Sequence, residues 1–247
     1  MARMMILSGP SCVGKSPLLK ALRRFYPELA EQLRPLVLCN DRAPRPGERD
    51  GVDYFFRSRE EIEALRGQAG FIVMEVRRDL QALEMAQVQR VLEGGENPFF
   101  EGNAYIADAL MKAPELAQVP KLSAFLSPLS LEEITYLQAQ PDVRLADIVR
   151  HVQRQKLLVR TSLQKGELSD HDRTDIEARA GAAYREMQYA SQFDWVIPNH
   201  DGEGNPNWES FNYPLGDARK TKLDFAAILQ GRPPRYAEEW PKGLLSG

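Results

Sequence analysis

Cysteine and histidine are both scarce in this sequence. The chain of 247 residues contains two cysteines, Cys12 and Cys39, and three histidines. They show no metal-ligand spacing, so neither a disulfide framework nor a Cys/His zinc site is expected to organise the fold. A chain of this kind suits a reducing compartment, and we expect it in the cytoplasm.

An excess of one charge and long apolar runs are also missing. The formal net charge of -3 gives no sign of a general nucleic-acid-binding surface. No apolar stretch approaches the ~18 residues of a membrane span, and the first residues are too few for a signal-peptide core. We therefore expect neither nucleic acid nor a membrane as a partner. Hydrophobic residues at 43% are enough for the core of one large domain, with or without inserted lobes.

A glycine-rich stretch near the start carries the first chemical signal. A short apolar run precedes it and a helical pattern follows it. The stretch reads Gly9-Pro10-Ser11-Cys12-Val13-Gly14-Lys15-Ser16. Two glycines at this spacing let the backbone turn its N–H groups towards a polyphosphate, above a helix N-terminus. Lys15 would reach the outer phosphates and Ser16 would hold Mg²⁺. The pattern predicts an ATP-binding loop, and a chance glycine turn fits the flanking strand and helix less well.

A second stretch that suggests a binding site follows the apolar run at residues 36–39. Residues 40–56 contain two prolines and two glycines, which indicates a structured loop that leads into a strand. Arg42 and Arg45 flank Pro44, and a stiffened pair of guanidinium groups suits a bidentate phosphate clamp. Taken alone, two solvated loop arginines would be the simpler interpretation.

Together the two stretches resemble the guanylate kinase family. The phosphate loop is followed in register by R-x-P-R-x-G-E-x-x-G-x-D-Y-x-F, from Arg42 to Phe56. Weaker matches continue in pieces to about residue 200. The resemblance implies an α/β fold, a three-layer P-loop core with a parallel sheet, plus a small acceptor-binding lobe at about 38–97 and a helical lid at about 140–178. These would lie within a domain of residues 1–200. Residues 201–247 would form an extension packed on, or trailing from, that domain.

The resemblance also implies acceptor-binding residues. By this resemblance, the acceptor phosphate would be held by Arg42, Arg45 and the Tyr54 hydroxyl. Glu101, at the end of an apolar run, is its candidate for an acid that bonds a base or sugar, and a plain strand-end acid is the alternative. Glu75 is a second candidate acid, two residues beyond the family's glutamate position.

Donor-side and lid residues follow from the same resemblance. With Lys15, it suggests Arg179 as the lid arginine that closes over the transferring group. Arg160 and Arg173 are weaker candidates, because an apparent insertion blurs the match, and each could be a solvated helix residue. Asn199 lies where the family places an asparagine near the donor base, and a strand-end turn residue is the alternative.

The guanine-reading positions depart from the family pattern. Leu38 stands where the family has a serine, and Val73 where it has a glutamate. The segment that should carry a phosphate-binding tyrosine begins instead with Arg77-Arg78-Asp79. Because an unpaired buried polar group is costly, base recognition does not survive such changes unaltered. Phosphoryl transfer is therefore better supported than guanine specificity.

Three functions follow. The first is a guanylate kinase-type enzyme that transfers phosphate from MgATP to a nucleoside monophosphate, GMP or dGMP by resemblance. The second keeps the chemistry but uses another nucleotide, a modified nucleotide or a phosphorylated sugar. The third is a non-catalytic binding module of the same fold, against which the intact Lys15 and Ser16 argue.

Overall fold

The computed structural model describes residues 2–44 and 47–245. Its strands are β1 (Met4–Ser8), β2 (Leu33–Pro35), β3 (Cys39–Asn40), β4 (Phe55–Phe56), β5 (Phe71–Val76), β6 (Asp79–Glu84), β7 (Asn97–Gly102), β8 (Lys121–Ser127) and β9 (Trp195–Pro198). Its α-helices are α1 (Lys15–Phe25), α2 (Pro27–Ala30), α3 (Arg59–Glu63), α4 (Met85–Glu93), α5 (Ala104–Lys112), α6 (Leu131–Gln138), α7 (Leu145–Lys165), α8 (Asp170–Met187) and α9 (Gly216–Leu229). None of the helices in these ranges is long and apolar enough to cross a membrane.

A five-stranded parallel sheet forms the centre, in the order β2-β7-β1-β8-β9. All five residues of β1 are buried, as expected for a strand covered on both faces. Met4 and Ile6 pack in the core on one face, and Met5 and Leu7 pack in the core on the other. The predicted α/β class with a parallel sheet is confirmed.

A smaller sheet, in the order β4-β3-β6-β5, lies within the stretch predicted to hold the acceptor. One of its faces carries Leu80 and Ala82, which pack against Ile62 of α3. The other face carries Leu83, which joins the main core. The apolar run at 36–39 links the two sheets, with β2 before it and β3 at its end.

Helices α7 and α8 form an antiparallel pair over the phosphate loop. Gly166, at φ 75°, ends α7, and Ser169 begins α8 through a reciprocal capping box with Asp172. Leu157 and Ile176 pack with Cys12 of the phosphate loop, so the pair is fastened to that loop by apolar contact. Helix α8 begins at Asp170 because its cap lies at Ser169, and it continues beyond the lid range of about 140–178 expected from the resemblance.

The described part of the C-terminal segment packs on the core. Phe225 and Ile228 of α9 lie against the same sheet face as Met5. Further on, Val196 and Glu238 exchange two backbone hydrogen bonds of 2.8 and 2.7 Å, which extends the sheet beyond β9.

Candidate active site

The phosphate loop leaves the end of β1 through two glycines with positive φ, 143° at Gly9 and 108° at Gly14. A Cβ atom on Gly9 would lie 2.5 Å from the carbonyl oxygen of Leu126, and one on Gly14 would lie 2.4 Å from Nδ2 of Asn199. Conformation and space therefore both require glycine at these positions.

Lys15 and Ser16 start α1 beneath the loop. The ammonium group of Lys15 donates hydrogen bonds to the carbonyl oxygens of Gly9 at 2.8 Å and Pro10 at 3.0 Å. Burial lowers the pKa of Lys15, while the charge of Glu101 favours the protonated form. Ser16 is exposed in the first turn, where its hydroxyl is open to a ligand.

Arg179 joins the lid helix to the phosphate loop. Its Nη1 donates to the Ser11 hydroxyl at 3.3 Å, and its Nε lies 2.7 Å from a carboxylate oxygen of Asp175. The side chain is buried, which lowers the pKa of Arg179, and the Asp175 charge opposes that shift. The structure thus brings Arg179 to the donor loop, as the resemblance implied.

The other two lid arginines lie elsewhere. Arg160 pairs with Glu203 at 3.1 Å, and the backbone N–H of Glu203 donates to the Cys12 carbonyl, so this arginine flanks the loop. Arg173 is exposed on α8 and forms no ion pair with any residue in the described ranges.

The acceptor clamp is only partly described. Both terminal nitrogens of Arg42 donate to Glu48, at 2.7 Å each, and its guanidinium lies 5.0 Å from the ring centre of Tyr54. This fork is therefore held in place by a carboxylate and an aromatic face. Arg45, its expected partner, lies outside the described residues.

Two residues missed by the sequence interpretation lie at the turn from β5 into β6. Burial raises the pKa of Asp79, while the positive charges of Arg179 and Arg42 lower it. Arg77, at φ 61°, reaches across from the small sheet to the fully buried Glu186 of α8, 2.9 Å away. The Arg-Arg-Asp run was visible in the sequence. The positive φ of Arg77, which accompanies its contact with Glu186, could not be predicted from it.

Glu75 lies on the α3 face of the small sheet. Side chains alternate along β5, so Glu75 shares this face with Val73, which stands at the family's glutamate position, and it pairs with Arg59 at 3.2 Å. The opposite face carries Met74, which is in register with Gln81. The role of Glu75 in acceptor binding stays a prediction, and in this structure its carboxylate is engaged by Arg59.

Glu101 lies at the end of β7, in register with Leu7 of β1. Burial raises its pKa, and the strongest opposing influence is the positive charge of Lys15. Its role as an acid that bonds the base or sugar of the acceptor stays a prediction.

Asn199 is fully buried and braces the loop. Its Nδ2 donates to the carbonyl oxygens of Val13 at 2.7 Å and Asp201 at 2.9 Å, and its Oδ1 accepts from the Asp201 N–H. With both amide hydrogens engaged, Asn199 supports the loop backbone. It is not free to contact a donor base.

Further supports come from residues that the sequence did not single out. Lys156 of α7 donates to the Asn199 carbonyl at 3.0 Å, and burial lowers the pKa of Lys156 to about 8. Trp208 donates from Nε1 to the Asp201 carbonyl at 2.8 Å. These contacts tie α7 and the C-terminal segment to the phosphate loop.

Comparisons with known proteins agree with this architecture. The family model described as guanylate kinase matches residues 1–136. The guanylate kinase of Synechococcus sp. is 31% identical over 210 residues, which cover 81% of this chain and 77% of that protein. The guanylate kinase of Pseudomonas fluorescens is 30% identical over 215 residues, 87% of this chain and 83% of that protein.

A solved structure agrees at the level of the fold. The crystal structure of guanylate kinase from Anaplasma phagocytophilum superposes with a TM-score of 0.54 at 19% identity, over 93% of this chain and 85% of that one. With the matched family model and the two relatives, these findings show that the chain belongs to the guanylate kinase family of ATP-dependent nucleoside-monophosphate kinases.

Proposed function

We propose that this protein transfers the γ-phosphoryl group of MgATP to a nucleoside monophosphate, with GMP or dGMP as the acceptor by resemblance. The observation that supports it most is the contact between the lid and the phosphate loop, in which Arg179 donates to the Ser11 hydroxyl at 3.3 Å. In the same loop, Lys15 donates hydrogen bonds to the carbonyl oxygens of Gly9 and Pro10.

The positive charges of Lys15, Arg42 and Arg179 suit phosphoryl transfer. That reaction depends on positioning and charge neutralisation more than on a covalent nucleophile. Lys15 and the loop N–H groups would hold the donor phosphates, and Arg42 with Tyr54 would hold the acceptor phosphate. Arg179 would neutralise charge on the group in transit. The α7–α8 lid would exclude water and so limit ATP hydrolysis.

The residues present fit a magnesium ion. Ser16 offers an exposed hydroxyl at the start of α1, and Glu101 offers a carboxylate at the end of the neighbouring strand β7. The described ranges contain no group of three or more His, Cys, Asp or Glu that could hold a metal by themselves. Magnesium commonly uses one or two protein ligands together with substrate phosphates and water, which matches this sparse set. Bound there, the ion would neutralise the donor phosphates.

The test is ADP formation from MgATP with a panel of nucleoside monophosphates. We expect turnover with GMP and dGMP, loss of turnover in Lys15→Ala, and a raised acceptor KM with little change in ATP binding in Arg42→Ala. Arg49→Ala, in an exposed arginine of the same loop, is the matched control and should behave as the unmodified protein. Unchanged acceptor KM in Arg42→Ala would contradict the assignment of the clamp.

A second acceptor class is supported by one observation. Val73 stands at the family's glutamate position, and Leu38, at its serine position, is buried in the core. Turnover with another nucleotide or a phosphorylated sugar, but none with GMP, would favour that class. ATP binding without any transfer would favour a binding module.

A further inference from the structure

Three side-chain amides meet on the face of the small sheet that lies opposite α3. Asn40 and Gln81 are directly opposite each other in the antiparallel β3–β6 pair, so their side chains lie on one face. Asn103, at the start of α5, bonds Gln81 at 3.0 Å. All three are buried, Asn40 to 1% exposure.

The hydrogen bonds identify the oxygen and the nitrogen atom of each side-chain amide. The Oδ1 of Asn103 accepts the N–H groups of Tyr105 and Ile106 as the cap of α5, so its Nδ2 must be the donor to Gln81. Gln81 therefore accepts through Oε1 and keeps its Nε2 hydrogens for another partner.

Asn40 is oriented in the same way. Its Oδ1 accepts the backbone N–H of Arg42 at 3.2 Å, which leaves Nδ2 as the remaining end. That Nδ2 is buried and has no hydrogen-bond partner among the described residues. Buried donors are nearly always paired, so this one needs a partner from outside the described residues, either a water molecule or a ligand atom.

The pair thus presents N–H donors, because each side-chain oxygen already accepts one hydrogen bond. The facing residue on β5 is Met74, which adds no acceptor. The carboxylate on the same face, Asp79, stands at the start of β6, two residues before Gln81. Asn40 is two residues from Arg42, so the donors lie next to the acceptor clamp.

We propose that Asn40 and Gln81 are the residues that select the acceptor base, and that they read its carbonyl-bearing edge through N–H donors only. This rests on the proposed function. A 6-oxopurine offers O6 and N7 as acceptors, whereas adenine offers an amino group at that position. With no acceptor for N1–H and the 2-amino group, the pair treats guanine and hypoxanthine alike and rejects adenine.

The test compares kcat/KM for GMP, IMP and AMP, with equilibrium binding of each nucleotide measured alongside. We expect GMP and IMP to agree within about threefold and AMP to be at least about 100-fold poorer, since opposed donors leave buried polar groups unpaired. Gln81→Glu keeps the acceptor for Asn103 and removes the Nε2 donor. It should lower kcat/KM for GMP and IMP equally, by about 10-fold or more.

Asn40→Asp, which keeps the acceptor for the Arg42 N–H, is the second variant and should act in the same direction. Gln155→Glu, an exposed position on α7, is the isosteric control and should change nothing. Thermal unfolding of each variant separates misfolding from altered recognition.

Three outcomes would overturn the inference: a preference for GMP over IMP above about 10-fold, unchanged GMP use in both amide variants, or no binding of either 6-oxopurine. Equal binding of GMP and IMP that weakens in Gln81→Glu, without any ADP formed, would instead overturn the proposed phosphoryl transfer and leave the base-reading pair standing.

Discussion

Nδ2 of Asn199 donates a 2.7 Å hydrogen bond to the carbonyl oxygen of Val13, which joins the end of the last strand of the central sheet to the middle of the phosphate loop. The first prediction concerns this bond. Asn199→Ala should lower the free energy of unfolding by about 1 to 3 kcal/mol, because it leaves buried partners unpaired. It should also raise the KM for ATP, since the loop loses its brace.

Denaturant unfolding and ATP titration of the same preparation check this prediction. Asn207→Ala, whose side chain bonds Asp201 one step further from the loop, serves as the comparison. A loss of stability with ATP binding unchanged would show that the bond has no part in shaping the loop.

The second prediction concerns Arg179. Arg179→Ala should lower kcat by about 100- to 1000-fold, the usual effect of removing one group that stabilises transition-state charge. Steady-state kinetics measure it, with Arg185→Ala at an exposed position of the same helix as control. An effect on KM for ATP alone would instead mean that Arg179 only holds the donor through Ser11.

The third prediction concerns Asp201, which accepts the backbone N–H of Ala218 at 2.9 Å in the first turn of α9. Asp201→Ala should cost about 0.5 to 2 kcal/mol of stability, as the loss of a helix-capping acceptor does. Asp201→Asn, which keeps an acceptor oxygen, should recover most of it. Equal loss in both variants would point to the charge as the cause.

The fourth prediction is a pH dependence. Burial lowers the pKa of His200, but its bonds to Asp217 and Glu133 outweigh this and raise the pKa above the usual value. The stabilisation is therefore fully present below about pH 6.5, the ordinary pKa of His, and is lost as the pH rises through the higher folded value. The side chain is 45% exposed, so the effect should stay below about 1 kcal/mol.

Unfolding free energies from pH 5.5 to 9 measure this dependence. His200→Gln should remove the fall in stability, whereas His171→Gln, at an exposed position on α8, should leave it unchanged. A profile that keeps its fall in His200→Gln would assign it to another group.

Local patterns predicted much of this molecule. The spacing from Gly9 to Ser16 predicted a strand, a loop and a helix because all the constraints lie within a few residues. The side of the small sheet to which Glu75 belongs depends on the register between β5 and β6, and a shift of one residue reverses it. Sequence matching alone could not decide that.

Long-range partners were equally out of reach. The resemblance suggested a donor-base contact or a strand-end turn for Asn199, and its bond to Val13 crosses 186 positions of the chain. Arg77 was given no role, because its partner, Glu186, lies 109 positions away on α8. In both cases tertiary structure determines the role, whereas sequence shows only the residue type.

The hydrogen bond from Asn199 to the phosphate loop also bears on how the chain folds during synthesis. The loop is synthesised early, but Val13 receives its bond from Asn199 only after 186 further positions have been translated. At about 5 to 20 residues per second, that interval is roughly 10 to 40 s. A nascent chain therefore carries an unsupported nucleotide loop for most of its synthesis, and we expect ribosome-bound chains stalled before Asn199 to retain ATP poorly.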